Sequence, residues 1–413
     1  MRMYLPTISF SLRITFLFAL FMAAEYIRAA DSDTPAPLQE SGEEAELGGF
    51  KYSPNASLSY EYNDNIYATD TGAVSDTTLR ASVGGAMMSR WKQHAVEAGA
   101  SVNAAYFNDY SSENTTDYQV HTSGRYDFNK RSNLFGGLSY SRLHEARGSI
   151  EAVSGDEPTI YYKGQANAGI KLGADKVSLT LAGNASNLDY RNTPAAGSVL
   201  FNDDRDRNEF ALGARLNYAL AGKRYLFAQL RTDVRDYKLR FDEAGYERSS
   251  TGYRAGVGYG VDLGTRLKAE VMLGYLTQNY DDVAFNDVNA FDYKASLNWY
   301  VSKDSNLQLE LSHALEETTL PGSPGYLYRQ FSMQWRQRHS ASVFAKYAFS
   351  YGQADYQQSA IKDDYYDASV GIAYALHKGI LAGVDLRHLQ RDSNQVGDDF
   401  ARNVLSVSVS GRF

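Results

Sequence analysis

From Lys51 to Phe413 the chain alternates apolar and polar residues with a period of two, the spacing of a strand whose two faces meet different surroundings. One apolar row runs Val96, Ala98, Ala100, Val102, Ala104, Tyr106. Others run Tyr253, Ala255, Val257, Tyr259, Val261, Leu263 and Tyr366, Ala368, Val370, Ile372, Tyr374, Leu376. No apolar stripe of helical period competes. Each row lasts about ten residues, the length a tilted strand needs to cross a bilayer. The breaks between rows alternate in kind. Short ones carry a cation, at Arg90–Lys92, Asn129–Ser132, Ala174–Lys176, Ala221–Arg224, Gly264–Arg266, Ser302–Asp304, Arg338–His339 and His377–Gly379. Long ones are acidic and polar, at 63–76, 108–116, 145–158, 191–206, 239–249, 279–289, 317–325, 353–363 and 391–401. Counting strands between breaks predicts about 18, with about 16 as the alternative. The expected fold class is all-β, a transmembrane antiparallel up-and-down β-barrel with short turns on one side and long loops on the other.

A soluble sandwich would use the same alternation. The make-up of the rows argues for lipid instead. They mix Gly and Ala with Leu and Val and finish in Tyr, Phe or Trp, as a lipid-facing band with aromatic girdles does. Trp91 lies in a short turn, and Trp299 and Trp335 each lie three residues before one. Backbone groups in lipid need partners, so such a sheet has to close. The last strand alternates Leu405, Val407, Val409, Gly411 and Phe413. A terminal Phe on such a strand resembles the signature by which outer-membrane proteins reach the barrel assembly machinery. Phe413 is therefore the candidate assembly signal, and that machinery an expected partner.

The chain divides into residues 1–30, a secretory signal peptide, 31–50, an acidic flexible N-terminal tail, and 51–413, the barrel. Arg2 and Arg13 supply positive charge, Ile14 to Met22 the apolar core, and Ala23, Ala24, Ala29 and Ala30 the small residues of a cleavage region. A single membrane anchor is the competing reading, and the run is short for it. The formal net charge of −8 speaks against a nucleic-acid partner, which calls for cationic surface. With no Cys, disulfides, thiolate metal sites and Cys nucleophiles are excluded. The 32 Tyr suit aromatic girdles.

The first strand ends in Tyr62, Asn63, Asp64, Asn65, Ile66 and Tyr67. This stretch resembles the opening of the putative beta-barrel porin 2 family, whose members begin the barrel with an aromatic residue, an acidic/Asn pair and Asn-Ile/Val-aromatic. The rest of the barrel matches by pattern. The resemblance implies a barrel in the outer membrane of a Gram-negative bacterium, bounded by lipid and lipopolysaccharide. Members often accompany exopolysaccharide or capsule export systems. It therefore also implies a port for polysaccharide, with periplasmic export components as further partners. A general or solute-specific diffusion porin is the alternative reading, and a non-transporting structural or adhesive barrel the third.

With the apolar rows outward, the inward rows carry Arg215, Arg231, Arg235, Arg254, Arg336 and Arg387, the lumen candidates, with Asp233 as the acid among them. Arg231, Asp233 and Arg235 are the densest cluster. Rings of charge in a channel set solute preference, and pairing between neighbouring strands is the bland reading. Tyr161, Tyr225, Phe227 and Tyr237 also face inward, as stacking platforms or as packing. The loops 191–206 and 145–158 are the longest candidates to fold inward. Clustered loop carboxylates such as Asp203, Asp204 and Asp206 lack the spacing of a calcium loop, so no metal is assigned. His144 and His313 lack any hydrolase motif around them, and Gly256 to Gly260 lies inside a strand with no helix to follow. No enzyme activity, catalytic residue or cofactor is expected.

Overall fold

The computed structural model describes residues 45–413. The segment read as a signal peptide and residues 31–44 of the stretch read as a tail lie outside them. Ala45–Leu47 pairs with the start of the first barrel strand across a turn at Gly48 and Gly49.

Eighteen antiparallel strands form one barrel. They are β1 (Phe50–Asn63), β2 (Asp76–Ser89), β3 (Ala95–Phe107), β4 (Thr115–Asp127), β5 (Asn133–His144) and β6 (Ile160–Gly173). Next come β7 (Val177–Tyr190), β8 (Arg207–Ala219), β9 (Arg224–Tyr237), β10 (Ser250–Asp262), β11 (Leu267–Tyr280) and β12 (Val288–Ser302). The last six are β13 (Ser305–Glu316), β14 (Tyr326–Arg338), β15 (Val343–Tyr356), β16 (Lys362–His377), β17 (Ile380–Ser393) and β18 (Phe400–Arg412). Each strand pairs with the next in sequence, and β1 pairs with β18 from Asn55↔Arg412 to Asn63↔Val404, which closes the sheet.

The outward rows are exposed as lipid-facing rows should be. Leu212, Leu230 and Val257 sit on three neighbouring strands at 66, 63 and 64% exposure. Three such side chains in water would be an aggregation hazard, and in lipid they are at home. All three Trp are exposed near the short turns, with Trp91 edge-on to Phe50 at 5.6 Å. Two breaks are about half the length that the alternation indicated. The connections after β15 and β17 cover only 357–361 and 394–399. The ladder continues through Gln353, Asp355, Arg391 and Asp392, polar residues that stand beyond the apolar belt and so break the pattern without ending the strand.

The Asn63-Asp64-Asn65-Ile66 stretch works at the seam. Asp64 accepts hydrogen bonds at 2.7 Å from both the Asn403 backbone N–H and its side-chain amide. Asn65 donates to the carbonyls of Thr69 at 2.8 Å and Ala401 at 3.1 Å. The first strand is thereby clipped to the last. Asp64→Ala should cost about 1–3 kcal/mol, the worth of hydrogen bonds to a charged group. The folded band on a gel should then unfold several degrees lower, and an unchanged midpoint would remove Asp64 from the closure.

One ladder is incomplete. Between β12 and β13 it runs from Ser302↔Ser305 to Lys294↔Ser312 and stops, while β13 stays paired with β14 through Glu316↔Tyr326. The loop end of the β13–β14 hairpin leaves the wall and turns into the lumen. Its Leu315 and Leu327 pack on Leu276 and Val288 of the inward rows of β11 and β12. The His313 ring nitrogen Nδ1 lies 2.6 Å from the Phe291 carbonyl at the point of departure.

Candidate functional site

The inward rows enclose a cavity of about 1080 Å³ to which all 18 strands contribute. It opens toward the turn side, where Asp175 and Lys176 border it. Its wall is polar, rich in Ser, Asn and Gln, and its charges are mostly paired. Arg80 bonds Glu61 at 2.7 Å, and Arg387 grips Asp367 through two nitrogens at 2.9 and 2.8 Å. Arg215 holds Glu270 at 2.5 Å and lies 3.8 Å over the Phe227 ring.

The loop side is different. Two segments cross it from nearly opposite walls. The first is the connection 145–159 between β5 and β6. Its Arg147 pairs with Glu113 at 2.9 and 2.7 Å. Ile150 then packs into the cluster of Tyr326, Tyr328, Ala354 and Tyr356 on β14 and β15. Glu151 accepts hydrogen bonds from Thr318 at 3.0 Å and from the Tyr356 hydroxyl at 3.2 Å. The segment returns past Thr193, whose hydroxyl is 2.9 Å from that of Thr159. The second is the infolded β13–β14 tip with its loop 317–325. The two meet at Glu151–Thr318, and Ile150 and Leu320 pack on the same cluster of Tyr326, Tyr328, Ala354 and Tyr356. Together they form a strap across the mouth.

Arginines hold the strap. Arg205 pairs with Glu145, where Nη1 donates to Oε2 at 2.9 Å. Arg248 is 2% exposed and uses its whole guanidinium. It bonds Asp242 at 2.6 Å and donates to the carbonyls of Thr318, Ser323 and Leu320 at 2.5, 2.9 and 3.1 Å. A fixed fork of donors suits such a spread of acceptors.

The sequence-selected residues divide between these two regions. Arg231, Asp233 and Arg235 do cluster, with Asp233 3.9 Å from Arg231 and 3.5 Å from Arg235. Arg235 also reaches Glu317 and donates to the Leu315 carbonyl at 3.1 Å, so the cluster sits under the infolded tip. Arg254 is buried on β10, in register with Arg231. Arg215 and Arg387 line the vestibule. Arg336 lies near the turn side, in register with Lys346. Phe413 is exposed, and its backbone N–H donates to the Pro54 carbonyl at 2.9 Å beside the seam.

The inward aromatics are engaged by the protein itself. Tyr161 stacks on Tyr190 at 5.1 Å, Tyr225 bonds Glu270 at 2.5 Å, and Tyr237 bonds Glu317 at 2.6 Å. Gly258 and Gly260 give room to two of them, since a side chain at either would strike the Phe227 or Tyr225 ring. His144 pairs with Asp117 at 2.8 Å. Sequence reading missed Arg205, Arg248, Glu145, Glu151 and the loop 317–325, all in irregular segments where period-two alternation says nothing about direction. Of the two loops it favoured for infolding, 145–159 supplies half of the strap. The other, 191–206, carries a small hairpin of Thr193–Ala195 and Ser198–Leu200 beside it.

Among solved structures the chain is similar to the outer-membrane protein OpdK of Pseudomonas aeruginosa, at 12% identity and a TM-score of 0.46 over 88% of this chain and 99% of that one. It is similar to OccK3 of the same organism at 14% identity and 0.46, over 89% and 97%. For OccAB4 of Acinetobacter baumannii the values are 12% and 0.44, over 90% and 99%. No residue role passes from these proteins to this chain. No curated protein matches it. The family model described as Putative beta-barrel porin 2 matches residues 37–413, and the chain belongs to that family, an outer-membrane β-barrel porin of a Gram-negative bacterium.

Proposed function

We propose that this porin is a solute-selective diffusion channel for small hydrophilic molecules. The strap is the observation that carries the reading. A polar vestibule on the turn side, which faces the periplasm in such barrels, supports a watery path. A strap anchored on both walls supports selection by size on the opposite side. The same strap weighs against polysaccharide export, because a polymer needs a continuous bore and two segments of chain lie across this one. The polar vestibule in turn weighs against a purely structural barrel. On this reading Phe413 keeps its role as assembly signal.

Planar-bilayer recording of the refolded protein tests the proposal, together with swelling of liposomes that contain it. A small, discrete conductance and swelling with a monosaccharide but not with a long maltodextrin are expected. Equal entry of both sugars would return the export reading, and a complete lack of conductance would leave a structural barrel.

A further inference from the structure

The charges of the vestibule are paired almost throughout; Lys171 and Lys346 have no carboxylate within ion-pair distance among the described residues, and Asp385 is the acid of the wall without a cation at that distance. Lys171 on β6 is half-buried in the cavity wall. Among the described residues it has no carboxylate within ion-pair distance, and the charges that act on it are Arg125 and Arg215. Arg125 is bound to Asp127 at 2.8 and 3.0 Å, and Arg215 to Glu270 at 2.5 Å. Lys171 stands in register with Asn133 on β5 and Thr180 on β7, and Thr180 with Arg215 on β8. All four border the cavity. The Asn133 amide oxygen is buried without a hydrogen-bond partner. Rotating that amide would offer two N–H donors beside the ammonium group.

The opposite wall also holds cations without an ion pair among the described residues. Lys346 lies on β15, nine strands from β6 in the ring of 18. Its register partner Arg336 has no carboxylate within ion-pair distance among the described residues. The acid acting most on Lys346 is Asp385, whose side chain leans over Gly371, the residue between them in register. Asp367 acts on Lys346 as well, and Arg387 already grips that acid. Pairing is what a lumen needs for stability alone, so cations that stand without an ion pair on both walls at the same end are a property of the path rather than of the packing.

We infer that Lys171, with Thr180 and Arg215 beside it and the Lys346–Arg336 pair across the lumen, forms an anion-binding station at the periplasmic end of the channel. The solute class it favours is the small organic or inorganic anion. A carboxylate or phosphate group fits the donor set of an ammonium, a hydroxyl and a guanidinium. This inference rests on the diffusion-channel reading and adds the sign of the solute to it.

Reversal potentials in a potassium chloride gradient test it. The wild-type channel should pass chloride in preference to potassium. A unit charge close to a permeating ion changes its occupancy by roughly fivefold even in water. Lys171→Gln should therefore reduce the chloride preference by about that factor, and Lys171→Glu should reverse it. Lys346→Gln, on the far wall, should shift the potential in the same direction, and it serves where a Lys171 variant fails to insert. Conducting variants that keep the wild-type reversal potential would overturn the station and leave the channel standing. A wild-type protein that conducts nothing would overturn both.

Discussion

Arg248→Ala should raise the single-channel conductance several-fold and leave the barrel closed at its seam. The guanidinium satisfies a buried carboxylate and three carbonyls of loop 317–325 at once. Truncation leaves Asp242 charged and buried without its partner, and three carbonyls without donors. Breaking a buried pair in this way costs about 3–5 kcal/mol. The cost falls on the docked strap, because the wall ladders contain none of these groups. A penalty of about 3 kcal/mol lowers the ratio of docked to undocked strap by about a hundredfold. Planar-bilayer recording should show longer and larger openings, with the gel midpoint of the barrel unchanged. Wild-type conductance in this variant would mean that the strap does not govern the pore.

The second large effect is expected with pH and centres on Glu151. Burial pushes its carboxyl up from 4.5 to about 7, with Glu145 adding to the rise and Arg205 and the hydrogen bonds from Thr318 and Tyr356 opposing it. Docked, the group faces Thr318 of the other segment, Tyr356 and Tyr326 of the far wall, and the Arg205–Glu145 pair. Undocked in water it would titrate near its ordinary value. Below that value it is protonated in both positions, and docking carries no charge penalty. As pH rises toward about 7 the undocked strap loses a proton that the docked strap retains, so undocking becomes steadily easier. Above about 7 the penalty is complete, about 3 kcal/mol by the size of the shift. Conductance should therefore climb between acid and neutral pH and level off above it. Glu151→Gln keeps a neutral acceptor in place and should hold the pore in its narrow state at every pH. A Gln variant that still titrates like the wild type would place the switch elsewhere.

The barrel was legible because lipid imposes a rule on every second residue. Rows such as Tyr253 to Leu263 can serve only one wall, and the turns at Ala174–Lys176 and Ala221–Arg224 mark where the chain reverses. The pointing of Arg231, Asp233 and Arg235 into the lumen followed from the same rule. What they touch there did not follow. Arg235 meets Glu317 and the Leu315 carbonyl because the β13–β14 hairpin leaves the wall, and nothing in Ser312-His313-Ala314-Leu315 announces that departure. Arg248 and Glu151 lie in loops, where partners are set by three-dimensional crossing and not by spacing. Lys171 was hidden for a different reason. Its significance is a missing carboxylate, and an absence on a neighbouring strand is visible only once the register is fixed.

The strap also orders the birth of the molecule. Most of the wall is built from partners adjacent in sequence, whereas the Glu151–Tyr356 bond joins residues 205 apart and Arg248 reaches Ser323 across 75. Bringing distant segments together is slow, because the entropy of the long intervening chain must be lost first. The strap cannot dock until β14 and β15 stand opposite β5 and β6. By the same reckoning the seam between β1 and β18, where Asp64 and Asn403 lie 339 apart, closes later still, so the strap is already in place when the sheet becomes a tube.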